Sequence, residues 1–335
     1  MPATSTHKRT ARLRKHCALG AVAAAAVLGV AFAPVGNSSA EAAGAVSVSS
    51  SAELTSALTS ATAGDVITLE DGTYTGKFKA AASGTQAAPI TLVGSPNAVL
   101  TTGSTSSGYG LHVTGHNWNI TGFSVSGAQK GIVLDDSDNT VIDGVDVGST
   151  GHEGIHLRSS SNGVTVRNST VHDAGVVTPA IGEGIYVGTA ESNWGEVMGS
   201  SSTADQSDNA VIENNRIFNT AAEGIDVKEG TTGGRVIGNS FDNAGHSGAN
   251  NADSWIDIKG NGYVVADNSG TTARVDAIQV HSVRDGWGGN NTFTGNGTVA
   301  AVPGFEVNIA SKTPGNVVDC KASDAAQGLT NVDCS

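Results

Sequence analysis

Three stretches of the chain are nearly one hexapeptide: EGIHLR from Glu153, EGIYVG from Glu183 and EGIDVK from Glu223. Glycine and isoleucine are constant, and an apolar residue always follows one position after the isoleucine's neighbour. Apolar–polar–apolar alternation marks a half-buried strand, because successive side chains leave opposite faces. The unit recurs at Gly110 (GLHV), Gly131 (GIVL), Trp255 (WIDI), Ala277 (AIQV) and, one letter short, Phe305 (FEV). Its first intervals are 21 and 23 residues. A second series trails behind it: VTVRNSTV with Asn168, AVIENNRIF with Asn215, RVIGNSF with Asn239, VVADNSG with Asn268 and GNNTF with Asn291. Short strands at a nearly fixed spacing predict an all-β, single-domain, right-handed parallel β-helix, each coil stacked on the last. The asparagines are expected to stack at one bend and bond along the axis.

Composition agrees. Glycine supplies 45 of 335 residues and proline only 7, and strong helix formers are sparse after residue 65. A β-sandwich would need hairpins with Asn-Gly or Asp-Gly turns, and the repeat favours the solenoid. The coils are expected over 65–310. Ahead of them, over 44–64, Leu54, Ala57, Leu58 and Ala61 have helical spacing, ended by Gly64. They predict a short helix capping the open first coil, whose strand edges would otherwise be bare. Over 311–335 a second cap is expected, closed by a Cys320–Cys334 disulfide.

Residues 1–43 read as a secretory signal peptide. Five basic residues precede the apolar run CALGAVAAAAVLGVAFA, and small residues near Ala40 and Ala42 offer cleavage sites. The protein is therefore expected outside the cell, as a monomer, with no membrane span. The leader holds five of the 18 Lys+Arg and one of the 31 Asp+Glu, leaving 13 against 30, a net charge of −17. Such acidity argues against a nucleic-acid partner.

If the apolar letters point inward, the letters between and after them form two outward columns. One runs His156, Tyr186, Asp226, Asp257, Gln279, and the other Arg158, Gly188, Lys228, Lys259, His281. The longest inserts, within 172–182, 188–209 and 241–254, flank these strands and suggest walls of a groove. Glu153, Glu183 and Glu223 fall at the bend before each strand, where parity gives no direction. HEGIH at His152 matches the H-E-x-x-H zinc pattern, but that chemistry needs a helix, and Gly154 enters a strand here.

The strip holds an acid–base set. Removing the proton beside a uronate carboxylate and expelling the glycosidic oxygen needs a base, a proton source and positive charge. Lys228 and Lys259 occupy one column on neighbouring coils. Their repulsion at ~5 Å, about 1–3 kcal/mol, would lower a lysine pKa toward neutrality. Nearby carboxylates pull the other way, and a Ca²⁺ held by Glu223, Asp226 or Asp257 would cancel that pull. His156, Arg158, Tyr186, Asp257 and His281 are the expected substrate contacts. An alternative is a glycoside hydrolase using Asp226 and Asp257 at retaining distance. Another is a non-catalytic carbohydrate-binding surface protein.

GDVITLEDGTYTGKF from Gly64 and GTQAAPITLVG from Gly84 resemble the opening of right-handed β-helix polysaccharide lyases, chondroitinase B and related alginate lyases among them. The resemblance spans roughly 45 to 300. In that family a Ca²⁺-binding glutamate stands five residues before the catalytic lysine, which implies Glu223 as ligand and Lys228 as base. The family arginine of the next coil is Lys259 here, and its second Ca²⁺-binding glutamate falls on Ala221. The resemblance thus implies a secreted lyase acting on an acidic polysaccharide.

Overall fold

The computed structural model describes residues 44–335, apart from 301, 311 and 312. The expected signal peptide lies outside the described residues. The chain winds as a right-handed parallel β-helix with three sheets, of eleven, nine and nine strands. Every pairing between these strands is parallel, each strand bonding to its counterpart one coil away. Each coil passes through the first sheet, turns a corner into the second, and turns again into the third.

The repeated isoleucines stack as their spacing predicts. Ile155, Ile185, Ile225, Ile256 and Ile278 are successive register partners in the third sheet, all at most 1% exposed. Burying one such side chain contributes roughly 1.5–3 kcal/mol. The constant glycine before them has a steric reason. A Cβ on Gly184 would lie 2.6 Å from the Gly224 carbonyl oxygen, so neighbouring coils meet backbone to backbone at this bend. Trp255 ends the glycine column and packs in the core, stacked on Phe241 with ring centroids 6.0 Å apart. It is therefore no sugar platform.

The cap helix is Ser51–Ser60, with Leu54, Ala57 and Leu58 buried. The Ser50 side chain accepts from the Glu53 N–H at 3.3 Å, and Glu53 reaches back to the Ser49 N–H at 2.8 Å, so both chain ends of the first turn are satisfied. The first sheet begins ahead of this helix, at Ala45–Val48, and ends at Val317–Val318. Cys320 and Cys334 are joined by a disulfide, with Cα atoms 5.1 Å apart. Among the described residues no helix is long and apolar enough to cross a membrane.

The asparagine ladder is real, and Asn215, Asn239 and Asn268 stand in it as expected, whereas Asn168 and Asn291 do not. Asn215, Asn239, Asn268 and Asn296 form it, each side-chain amide donating to the next residue's Oδ1 at 2.9–3.0 Å. Asn168 stands one position earlier, in the left-handed conformation that Asn214, Gly238, Asp267 and Gly295 also adopt at this corner. Ser169 takes the ladder place, and its N–H donates to Asn215 at 3.0 Å. Asn291 belongs to a different corner, where it accepts from the Tyr263 N–H at 2.8 Å. The corner needs two letters, a left-handed residue and then a ladder residue, and the one-letter alignment conflated them.

Candidate active site

The third sheet presents both expected columns in register. His156, Tyr186, Asp226, Asp257 and Gln279 are successive partners. One turn of the pleat further on, Lys228 and Lys259 continue the ladder through backbone bonds of 2.9 and 2.7 Å to Val187 and Val227. The inserted loops rise at both ends of these strands. Pro179–Ile181 and Ala249–Asn251 lie at the entry side. At the exit side Arg284 pairs with Glu191, and its guanidinium lies 5.4 Å from the Trp194 ring centroid, joining two exit loops. The strip thus lies between inserted loops on both sides.

At its centre is a chain of charges. Lys228 Nζ lies 2.6 Å from Asp226 Oδ2, and Lys259 Nζ spans Asp226 Oδ1 at 2.8 Å and Asp257 Oδ2 at 2.6 Å. His281 Nδ1 closes the chain 2.9 Å from Asp257 Oδ1. The Lys228 ammonium also sits 5.1 Å from the centroid of the Tyr186 ring. His156 packs edge-on against that ring, centroids 4.4 Å apart, and donates from Nε2 to the Gly188 carbonyl at 2.9 Å.

This geometry overturns the expected lysine pKa. Burial disfavours the charge on Lys228, but contact with Asp226 outweighs burial, and the pKa rises above the usual lysine value. Lys259 behaves alike, with Asp226 and then Asp257 outweighing burial, and the repulsion from Lys228 is a lesser influence. Carboxylates at under 3 Å dominate a like charge one coil away. Asp257 is buried, yet Lys259 and His281 hold its carboxyl below the ordinary range. A hydrolytic proton donor needs the opposite shift, so Asp257 is not placed to act as the acid of a hydrolase pair. The hydrogen bond to Asp257 in turn raises the pKa of His281.

Two of the expected substrate contacts sit behind the surface instead. His156 and Asp257 are each 3% exposed. They position Tyr186, and Lys259 with His281, rather than touch a ligand. Arg158 lies away from the lysines, locked onto Asp135 through Nε at 2.5 Å and Nη2 at 3.1 Å.

The bend glutamates, which parity left without a direction, face this chain. Glu183, Glu223 and Asp226 each offer an oxygen, all within 4.8 Å of one another. Burial, then the charges of Glu153 and Asp226, push the Glu183 carboxyl up to about 8. Burial and then Asp226 also raise Glu223 well above the carboxylate range. Glu183 Oε2 is buried with no hydrogen-bond partner among the described residues. Glu153 also keeps an Oε2 unpartnered among them, but its Oε1 is paired with Lys130 at 2.9 Å. An all-oxygen, buried, partly orphaned set fits a hard cation such as Ca²⁺. Nothing in the sequence placed Glu183 in this cluster beyond the recurrence of Glu-Gly-Ile itself.

A lysine–carboxylate strip on a parallel β-helix is a candidate catalytic face, and likeness to known proteins narrows its class. Residues 32–183 match the family model described as the Pel9A-like right-handed β-helix region. The structure is similar to that of an alginate lyase from Paenibacillus sp. strain FPU-7, at 40% identity and TM-score 0.80, covering 86% of this chain and 98% of that one. The pectate lyase Pel9A is similar at 16% identity and TM-score 0.56, covering 80% of this chain and 73% of that one. A lacto-N-biosidase from Eubacterium ramulus is similar at 13% identity and TM-score 0.59, covering 84% of this chain and 60% of that one. These last two likenesses concern the fold alone. No curated protein matches the sequence. The chain belongs to the right-handed β-helix polysaccharide lyases.

Proposed function

We propose that the protein is a secreted lyase that cleaves an acidic, uronate-containing polysaccharide, alginate foremost, by β-elimination. The observation that carries this reading is the Lys228–Asp226–Lys259–Asp257 chain beside Tyr186, between the inserted loops. The alginate lyase at 40% identity supports the choice of substrate.

Lys228 is the base. Among the described residues its ammonium pairs with Asp226 alone and its side chain is 13% exposed, whereas Lys259 is held by both Asp226 and Asp257, so Lys228 is the lysine less enclosed by carboxylates. It takes the proton beside the uronate carboxylate, and the electron pair left on carbon forms the double bond as the glycosidic oxygen departs. Tyr186 is the proton source. Burial, then Asp226 and Glu183, raise its pKa well above 10, so it keeps its proton for the leaving oxygen. Lys259 and His281 supply positive charge to the substrate carboxylate, with Asp257 fixing both. Glu183, Glu223 and Asp226 would hold Ca²⁺, which would supply the positive charge that frees Lys228 from the pull of Asp226.

A panel of alginate, pectin, chondroitin, glucuronan and neutral glycans tests the reading. Unsaturated uronate ends absorbing in the ultraviolet are expected, with activity lowered by chelation and restored by Ca²⁺. Saturated reducing ends from a neutral glycan would replace the lyase by a hydrolase. Full activity after exhaustive chelation would leave the three carboxylates as partners of the lysines alone.

A further inference from the structure

The third sheet continues past the lysines, with His156 and Val133 buried on the way, at 3% and 0% exposed. Toward the N-terminal coils the outward column runs back from Asp226 through Tyr186, His156, Val133 and His112 to Lys79, five rungs in all. At the strand spacing that is ~24 Å. There Lys77, Phe78, Lys79, Gly108, Tyr109 and His112 line a groove of about 310 Å³.

The groove has a prepared aromatic wall. Tyr109 stands edge-on to His112, centroids 5.3 Å apart, and its hydroxyl accepts from Arg158 Nη2 at 3.2 Å. Arg158 and His112 share the Asp135 carboxylate, with His112 Nε2 2.7 Å from Oδ2. The one carboxylate facing this network is thereby neutralised, and the network fixes the Tyr109 ring.

The lysines are the opposite case. Lys77 and Lys79 are exposed, and neither makes an ion pair among the described residues. Lys77 nevertheless has a seat. Gly108 has φ +79°, and a Cβ there would lie 2.6 Å from Lys77 Cε, so the lysine stem rests on bare backbone. Two unpaired ammonium groups beside a fixed aromatic face, in a protein of net charge −13, suit an acidic sugar. The other end of the same sheet is different: Asp253 and Asp276 share Gln279 at 2.8 and 3.0 Å, and Glu306 faces Lys321.

We propose that this groove is a distal subsite that binds a uronate unit of the same polymer, held by Lys77 and Lys79 against Tyr109. The inference rests on the reading of the protein as a lyase of an acidic polysaccharide. An extended sugar chain advances by about one strand spacing per unit, so the subsite lies roughly four to five units from the bond that breaks. Binding so far from the reacting carbon is uniform between ground and transition states, and therefore acts on KM rather than kcat.

The test is the double variant Lys77→Glu/Lys79→Glu, assayed on polyuronate and on a trisaccharide. KM for the polymer should rise about tenfold or more with kcat unchanged, while trisaccharide turnover stays the same. The wild-type advantage on polymer should fade at high salt. Gly108→Ala, which displaces the Lys77 stem, should shift KM in the same direction by less. Equal KM on polymer, or equal losses on polymer and trisaccharide, overturns the subsite. Polymer binding is measured separately by affinity electrophoresis in alginate gels, in a Lys228→Ala background. Retention lost in the double variant, with no uronate polymer cleaved by the wild type, keeps the subsite and overturns the lyase reading. Equal retention overturns the subsite whatever the activity.

Discussion

Two polar stacks run along this solenoid, both buried, and they are opposites. At the corner between the first and second sheets, the side-chain amides of Asn215, Asn239 and Asn268 each donate both to the next asparagine and to a backbone carbonyl, and Asn296 ends the stack on Val265 O. Asn239, for example, donates to Ile212 O and to Asn268 Oδ1, each at 2.9 Å, and accepts from Asn215. At the corner between the second and third sheets, Glu183 and Glu223 stack with Asp226, and Glu183 keeps an unpartnered oxygen. The same repeat builds both. A satisfied neutral stack stabilises the fold. An unsatisfied stack of buried carboxyls is costly in isolation, and such perturbed groups cluster where a site uses them.

The largest expected effect separates the two stacks by activity. Lys228→Ala should lower kcat by about 10²–10⁴, the usual contribution of a positioned base. Its melting temperature should change little, because Asp226 keeps Lys259 at 2.8 Å. Lys228→Arg should be as inactive, since a guanidinium holds its proton. Steady-state kinetics beside a thermal melt checks both, and a fully active Lys228→Arg would end the base assignment.

Next comes the reverse experiment. Asn239→Ala should leave the Asn215 N–H and side-chain amide without their shared acceptor. The expected cost is about 2–4 kcal/mol, from two buried donors left unpaired. Urea unfolding measures it, and kcat well below the melt should be unchanged. A drop in kcat without loss of stability would show that the corners are not separable.

A smaller effect concerns pH. The Glu183 carboxyl titrates at about 8 in the folded chain and near 4.3 when unfolded. Between those values the unfolded chain releases a proton that the folded one keeps, so stability falls as pH rises from about 4.5 to about 8, then levels. Glu183→Gln should flatten that slope in the presence of a chelator, and Ca²⁺ should reverse it in the wild type. Melting temperature against pH is the measurement.

What the sequence disclosed follows the period. The inward stack Ile155–Ile278 and the outward columns were readable because parity is strict inside a strand. The corners were not, since Asn168 and Asn214 are left-handed residues that parity does not govern. The direction of Glu183 was hidden for the same reason. The sign of the Lys228 shift was hidden by distance: the sequence puts Lys228 and Lys259 one coil apart, but only coordinates bring Asp226 to 2.6 Å.

The smallest effect tells the two lysines apart. Lys259 is enclosed, 8% exposed, with its ammonium between two carboxylates. Nothing in that geometry lets it reach a substrate carbon while both contacts last. Its contribution is fixed positive charge, and arginine preserves charge. Lys259→Arg should therefore retain activity within about tenfold, the loss arising from fitting a bulkier planar group into a packed site. Its pH–rate profile should keep the wild-type shape, because the group that titrates is still Lys228. If instead Lys259→Arg is as inactive as Lys228→Arg, the proton is passed through both lysines, and the chain of charges acts as one catalytic unit.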